Sequence, residues 1–369
     1  MNESKPLGLG LVGCGAFGQF CLEAFSKMPD VRIVGVADSV ASLAHAAGER
    51  FGVPSVSHPA ALAKMGEVDI VHVATPPSTH PELVIPALRA GKHVLCEKPL
   101  ATEVAAASEM LEAAKAAGVH VPVNFVLRHN AVTDAVSAVL KSGVLGEVLA
   151  GWFVNCAADS NLPADHWFWD RRASGGIFVE HGVHFFDLYR HWLGTGELLG
   201  SSAHMRPGTD QQDRVECTVR HGQTVVHHYH GFDQVAAMDR TRHRILCELG
   251  DIRVFGWIPL KMTIDAALDK TGLDWLVSAC PNATVDSAEP VPESLRQTRG
   301  RGKDRHITQR VHLTFMPEPD KQAAYTASVQ ALLADQIAAI RDPAHQRQVT
   351  DRDGLEAVKI ATAARDAAR

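Results

Sequence analysis

The sequence predicts an α/β chain in two parts: a doubly wound parallel sheet, then an α+β region with an antiparallel meander. Three observations predict this. Short apolar runs alternate with stretches of helical periodicity over residues 7–123, a glycine-rich turn joins the first run to the first helix, and beyond residue 193 β-like runs follow one another across short turns. The texture changes near residue 125, dividing the chain into 1–124 and 125–369. With 369 residues, 46% of them hydrophobic and 21% charged, the chain is long enough for two packed cores.

Residues 7–12 are an apolar run that reads as a buried strand, and 16–28 repeat apolar residues at helical spacing. Gly13, Gly15 and Gly18 therefore lie on a strand-to-helix turn, with Ala16 and Phe17 opening the helix. Gly13 permits the tight turn, Gly15 lets the backbone approach a pyrophosphate, and Gly18 lets helix and strand pack closely, with the phosphates at the helix N-terminus. A second strand, 31–37, ends at Asp38, 20 residues after Gly18, where a carboxylate can accept hydrogen bonds from the adenosine ribose hydroxyls. The same carboxylate repels a 2′-phosphate, and Ser39 and Val40 supply no arginine to offset it, so NAD is favoured over NADP. The structural alternative for Asp38 is capping of the next helix.

Strands at 68–74, 92–96 and 119–123 then alternate with helices at 81–90 and 102–117. Thr79 and Glu82 have the spacing of a capping box. Thr75-Pro76-Pro77 ends its strand at the carboxyl edge of the sheet, where Thr75, Pro76 and His80 would meet the adenosine half of a dinucleotide or else merely start a helix. Cys96-Glu97-Lys98-Pro99 closes the run at 92–96 and puts a cation where the reacting end of the dinucleotide belongs.

Past residue 125 come a helix at 131–141, a strand at 147–156, β-like runs at 214–220, 223–231 and 244–255, and helices at 322–341 and 354–368; no internal repeat appears. A net charge of −6 leaves no footprint for nucleic acid or an anionic membrane, and no apolar run is long enough to span a bilayer. The expected partner is a small metabolite. The N-terminus leads straight into a strand without a charged-then-apolar leader, and seven cysteines, an odd number scattered in apolar surroundings, suit reduced core residues of a cytoplasmic protein.

The second part carries the segment Gly175-Gly176 through Leu188. On a regular helix Glu180 and His184 share a face, with Asp187 a further turn along, so a carboxylate would orient an imidazole and raise its basicity, as a general base requires. A purely structural His–Glu pair is the alternative.

The glycine loop, Glu97-Lys98-Pro99, the Gly175-Gly176…Gly182-Val183-His184…Asp187 segment and the closing Asp351-Arg352-Asp353-Gly354 together resemble the glucose–fructose oxidoreductase, inositol dehydrogenase and MocA family over essentially the whole chain. The resemblance implies an N-terminal Rossmann domain and a C-terminal domain whose open, mostly antiparallel sheet forms a homodimer or homotetramer interface. It also implies that Lys98 is the catalytic lysine, His184 the acid/base histidine and Glu97 a neighbour of the nicotinamide ribose. The chain departs from the family pattern at Glu180, where aspartate is usual, and at His181, where an aliphatic residue is common.

Hydride leaves an alcohol carbon only as the hydroxyl proton leaves, so His184 would take the proton while Lys98 stabilises the alkoxide. Asp165 to Arg172 combine aromatic faces, Trp167 and Trp169, with polar groups, as pockets for a sugar, sugar derivative or cyclitol do; packing of the tryptophans and ion pairing of Asp170 is the alternative. Arg128, His129, Asn130 and His181 are further candidates to reach substrate. His227, His228 and His230 are not expected to bind metal, because a strand sends His227 to the opposite face. The basic stretch Arg296 to Arg305 reads as a solvated loop, an oligomer contact or a lid. Three functions remain open: an NAD-dependent dehydrogenase or reductase, a redox-neutral glycosidase or lyase that retains NAD, and a non-enzymatic sensor.

Overall fold

The computed structural model describes residues 5–368, which form two compact units. One comprises residues up to Val126, Ala164–Asp187 and Thr326–Arg365; the other comprises Leu127–Pro163, Leu188–Tyr325 and the residues from Asp366 onward.

The first unit contains the expected parallel sheet. Its strands are β1 (Leu7–Val12), β2 (Val31–Ala37), β3 (Ser55–Val56), β4 (Ile70–Val73) and β5 (His93–Cys96), in the order β3-β2-β1-β4-β5. The chain reverses direction of travel across the sheet between β1 and β4, a switch point at which the carboxyl ends of strands leave a crevice. The glycine turn lies at the carboxyl end of β1, leading into the helix Ala16–Phe25.

Two expectations need correction here. Residues 119–123 run beside β5 but do not form a strand: Val94 and Cys96 donate to the carbonyls of His120 and Pro122, yet Pro122 has no N–H to return, and only an isolated bridge, Cys96 with Val123, results. Nor does Thr79 cap the helix His80–Arg89, because its hydroxyl donates to the Pro76 carbonyl at 2.8 Å and shares a hydrogen bond with Thr75.

The closing motif serves this unit's core. Asp351 begins the helix Asp351–Ala367, accepts from the Val121 N–H at 2.9 Å, and takes a bidentate pair from Arg347 at 2.7 and 3.0 Å. Burial alone would raise its pKa, but the bonds from His120 and Arg347 outweigh this and hold the carboxyl below the usual range. Asp353 accepts from both the N–H and the hydroxyl of Thr350, and Gly354 lies so close to Val123 and Leu100 that a side chain there would collide.

The second unit is built on nine strands. In chain order they are β6 (Val148–Ala158), β7 (Gly196–Met205), β8 (Gln212–His221), β9 (Thr224–Gln234), β10 (Arg240–Cys247), β11 (Gly250–Phe255), β12 (Lys261–Leu268), β13 (Thr284–Pro290) and, after a separate hairpin of β14 (Gln297–Gly300) and β15 (Lys303–His306), β16 (Gln309–Phe315). The sheet order is β13-β16-β12-β11-β10-β6-β9-β8-β7, and every pairing except β6 with β9 is antiparallel. The run 244–255 is thus two strands, β10 and β11, divided at Glu248-Leu249.

Along β9 His227 is exposed while His228 and His230 are buried, as strand alternation requires. His228, His230 and His243 gather round Phe153, beside Tyr189 and Trp192. The basic stretch is not a free loop. It forms the β14–β15 hairpin, on which Arg301 and Lys303 pair with Glu147 and Arg305 makes a two-point pair with Glu248 at 2.9 and 2.7 Å. All seven cysteines are buried and unbridged. No helix among the described residues is long and apolar enough to cross a membrane.

Candidate active site

The three glycines of the turn carry three different constraints. Gly13 has φ +99°, and a Cβ there would strike the Ala74 carbonyl; a Cβ on Gly18 would strike the carbonyl of Gly13. At Gly15 nothing lies within 4 Å, so its backbone is open to an incoming group at the helix N-terminus, with Ala16 exposed and Phe17 half-buried beside it. This space and the donors of the first helical turn fit a pyrophosphate.

Asp38 reinforces the loop. Its Oδ2 accepts from the Cys14 N–H at 2.7 Å and its Oδ1 from the Val40 N–H at 2.8 Å, so it braces the glycine turn from the end of β2. The helix that follows starts after Val40, and no side chain caps it. Asp38 therefore stands at the glycine turn, where a carboxylate can meet a ribose.

Lys98 and Glu180 are brought together directly. The Lys98 ammonium forms a short ion pair with the Glu180 carboxylate and also donates to the Glu180 backbone carbonyl at 3.1 Å. This overturns the expected partnership of Glu180 with His184. Phe178–Gly182 form a π-helical turn that runs into the α-helix Val183–Leu193, and from this turn the Glu180 carboxylate reaches Lys98. The turn follows Gly175 and Gly176, at φ +80° and +87°. Burial, and then the charge of Lys98, push the imidazole of His184 well below the usual histidine range. Both causes favour the neutral imidazole, the form that can accept a proton. Burial, His184 and Lys98 push His181 the same way, and Asp187 is buried as well.

The loops around Lys98 are tied from beneath. His80 is fully buried, with Nδ1 2.8 Å from the Pro99 carbonyl and Nε2 2.9 Å from that of Thr75, so it links the Thr75-Pro76 loop to the Lys98-Pro99 loop. Glu97 is turned inward: its Oε1 lies 3.0 Å from His72 Nε2 and accepts from Asn124 Nδ2 at 2.6 Å. Sequence reasoning missed both partners, although a histidine in the apolar run 68–74 was a visible irregularity. Cys21, His72 and Glu97 form a buried group whose potential metal-ligand atoms lie within 4.8 Å of one another, but Glu97 Oε1 is already engaged by two hydrogen-bonding partners.

The remaining candidates are dispersed. Trp167 is 37% exposed and offers a ring face, whereas Trp169 is buried edge-to-face against Phe168. Asp170 caps and pairs with Arg172. Arg128 is buried in the 3-10 turn Val126–His129, and Asn130 caps the helix Ala131–Ser142.

Comparison with known proteins adds to this geometry. Residues 7–125 match the model of an oxidoreductase family with an NAD-binding Rossmann fold, and 133–253 match the GFO/IDH/MocA C-terminal domain. A dTDP-3,4-didehydro-2,6-dideoxy-alpha-D-glucose 3-reductase from Saccharopolyspora spinosa is 30% identical over 235 residues, 61% of this chain and 70% of that protein. The chain spans 52–60% of the length of seven other curated relatives. Levoglucosan dehydrogenase in complex with NADH and levoglucosan superposes with TM-score 0.79 at 20% identity, covering 99% of this chain and 97% of that one. A 3-ketoreductase from Actinomadura kijaniata in complex with NADP and TDP-benzene gives 0.75 at 20% identity, covering 99% and 98%. At these identities the two structures speak to the fold alone. With both family domains matched in order, the chain belongs to the GFO/IDH/MocA family of oxidoreductases.

Proposed function

We propose that this protein is a dehydrogenase or reductase acting on a secondary alcohol or ketone of a sugar, sugar derivative or cyclitol, with NAD preferred over NADP. The observation that carries the reading is the Lys98–Glu180 ion pair together with the buried histidine His184, whose electrostatics Lys98 influences. Bound NAD supplies a hydride acceptor. Gly13, Gly15, Ala16, Phe17 and Gly18 would hold its pyrophosphate and Asp38 its ribose, while Thr75, Pro76, His80 and Glu97 shape the loops on which it rests. Lys98, oriented by Glu180, stabilises the alkoxide that develops as hydride leaves, and His184 accepts the hydroxyl proton. Trp167, His181 and Arg128 are the side chains we assign to the substrate, while Trp169 is packed edge-to-face against Phe168.

In this reading residues 1–124 bind the cofactor, and 125–369 bind substrate and form a homodimer or homotetramer through the second sheet. Exposed Leu199 and Met205 on β7 support such an interface. The unbridged cysteines are compatible with a cytoplasmic location.

A screen of sugars and cyclitols with excess NAD tests the proposal: NADH should accumulate over many turnovers. Lys98→Met and His184→Ala should each lower turnover by roughly 10²–10⁴ with the fold intact. Product far beyond the cofactor supplied, without net NADH, would replace the proposal with the redox-neutral reading, and near-wild-type turnover by either variant would remove the catalytic assignment.

A further inference from the structure

The Glu97 carboxylate is one residue from the Lys98 ammonium, yet the two do not pair. Lys98 takes Glu180, while Glu97 is drawn the other way by His72 on β4 and by Asn124 just beyond the segment beside β5. Both of these partners are almost fully buried, at 0% and 1% exposure, and Glu97 itself is 7% exposed. The backbone holds the same arrangement, since the Glu97 N–H donates to Val73 at 2.9 Å and the Asn124 N–H to Cys96 at 2.8 Å.

We propose that His72 and Asn124 are positioning residues that act through Glu97: they hold its carboxylate inward so that Lys98 answers to one carboxylate, Glu180, and not to two. Resting on the proposed role of Lys98, this would set the lysine's readiness to give up or share a proton. The charged and titratable groups around the two side chains are few. Lys98 faces Glu180, His181 and His184, and Glu97 faces His72, His80, Cys21 and Cys96. Without its anchors, Glu97 has Lys98 as its nearest cationic neighbour in sequence. A second carboxylate beside the ammonium favours its charged form.

The test needs neither substrate nor cofactor. Acetic anhydride acylates only neutral amines, and the acetylation rate of Lys98 against pH, read by mass spectrometry of its peptide, reports how readily the lysine loses its proton. His72→Leu should lower that rate roughly tenfold at a fixed pH below the lysine's pKa, the change that one unit of pKa produces. Glu97→Gln in the same background should restore it, and His72→Gln, which keeps a donor near the Nε2 position, should leave it near wild type. Should His72→Leu fail to fold, Asn124→Ala removes the other donor and should produce the same fall. An unchanged rate in the folded variant, or a fall that Glu97→Gln does not reverse, overturns the proposal. Failure of Lys98 as a catalytic group would show instead as turnover surviving Lys98→Met, with the acetylation result intact.

Discussion

Replacing His243 by phenylalanine should remove a measurable share of this protein's sensitivity to acid. The residue sits on β10 at 1% exposure, with ring centroids of Phe153, Trp192 and Tyr189 at 4.9, 5.6 and 5.7 Å. Burial among these rings pushes its pKa down from 6.5 to about 3. The folded-state pKa therefore lies below the unfolded one, and between the two the unfolded chain binds a proton that the folded chain does not. The resulting stability is fully present above about pH 6.5 and is lost as the pH falls toward about 3. Between about pH 7 and about pH 5 this one imidazole should cost about 2 kcal/mol. His228, pushed well below its usual range by burial and then by neighbouring histidines, adds to the same trend. Phenylalanine fills a similar volume without a proton to gain. Urea unfolding of wild type and His243→Phe across this range should show the difference in free energy shifting by about 2 kcal/mol in favour of the variant at the acid end. Parallel pH dependences would refute the reasoning, because they would mean that His243 either titrates normally in the fold or is already protonated there.

Two further outcomes follow from individual contacts. Asp38→Asn keeps an oxygen for the Cys14 N–H but removes the charge, so the preference for NAD over NADP should narrow in a titration with both cofactors; an unchanged ratio would mean that the carboxylate does not face the 2′ position. Gly354→Ala should destabilise the fold by roughly 1–3 kcal/mol in thermal or urea unfolding, because the new Cβ would lie 2.5 Å from Val123 Cγ2 and 3.1 Å from Leu100 Cβ, and this overpacking outweighs the gain in helix propensity; a stabilised variant would show that the helix Asp351–Ala367 shifts freely.

The sequence by itself determined four strands of the first sheet, β1, β2, β4 and β5, the glycine turn and the position of Lys98 at the end of β5, but not the two-residue edge strand β3. These depend on short-range signals: apolar period, the absence of a Cβ at Gly13 and Gly18, and the ending of a strand. The family could be read at the same level, since its motifs are local strings. Tertiary structure decided which side chains meet. Glu180, read from the sequence as a partner for His184, pairs with Lys98, 82 positions away, across a contact that a periodicity count does not see. Pro122 kept 119–123 from completing a strand, and Glu147 and Glu248, more than fifty positions away, turned an apparently free basic loop into a held hairpin. His72 and Asn124 acquired a role only when β4 and the segment beside β5 brought them to one carboxylate. The physical reason is the range of the forces involved: backbone propensity is set by immediate neighbours, whereas ion pairs and buried hydrogen bonds depend on distances of about 3 Å between residues that only the folded chain brings together.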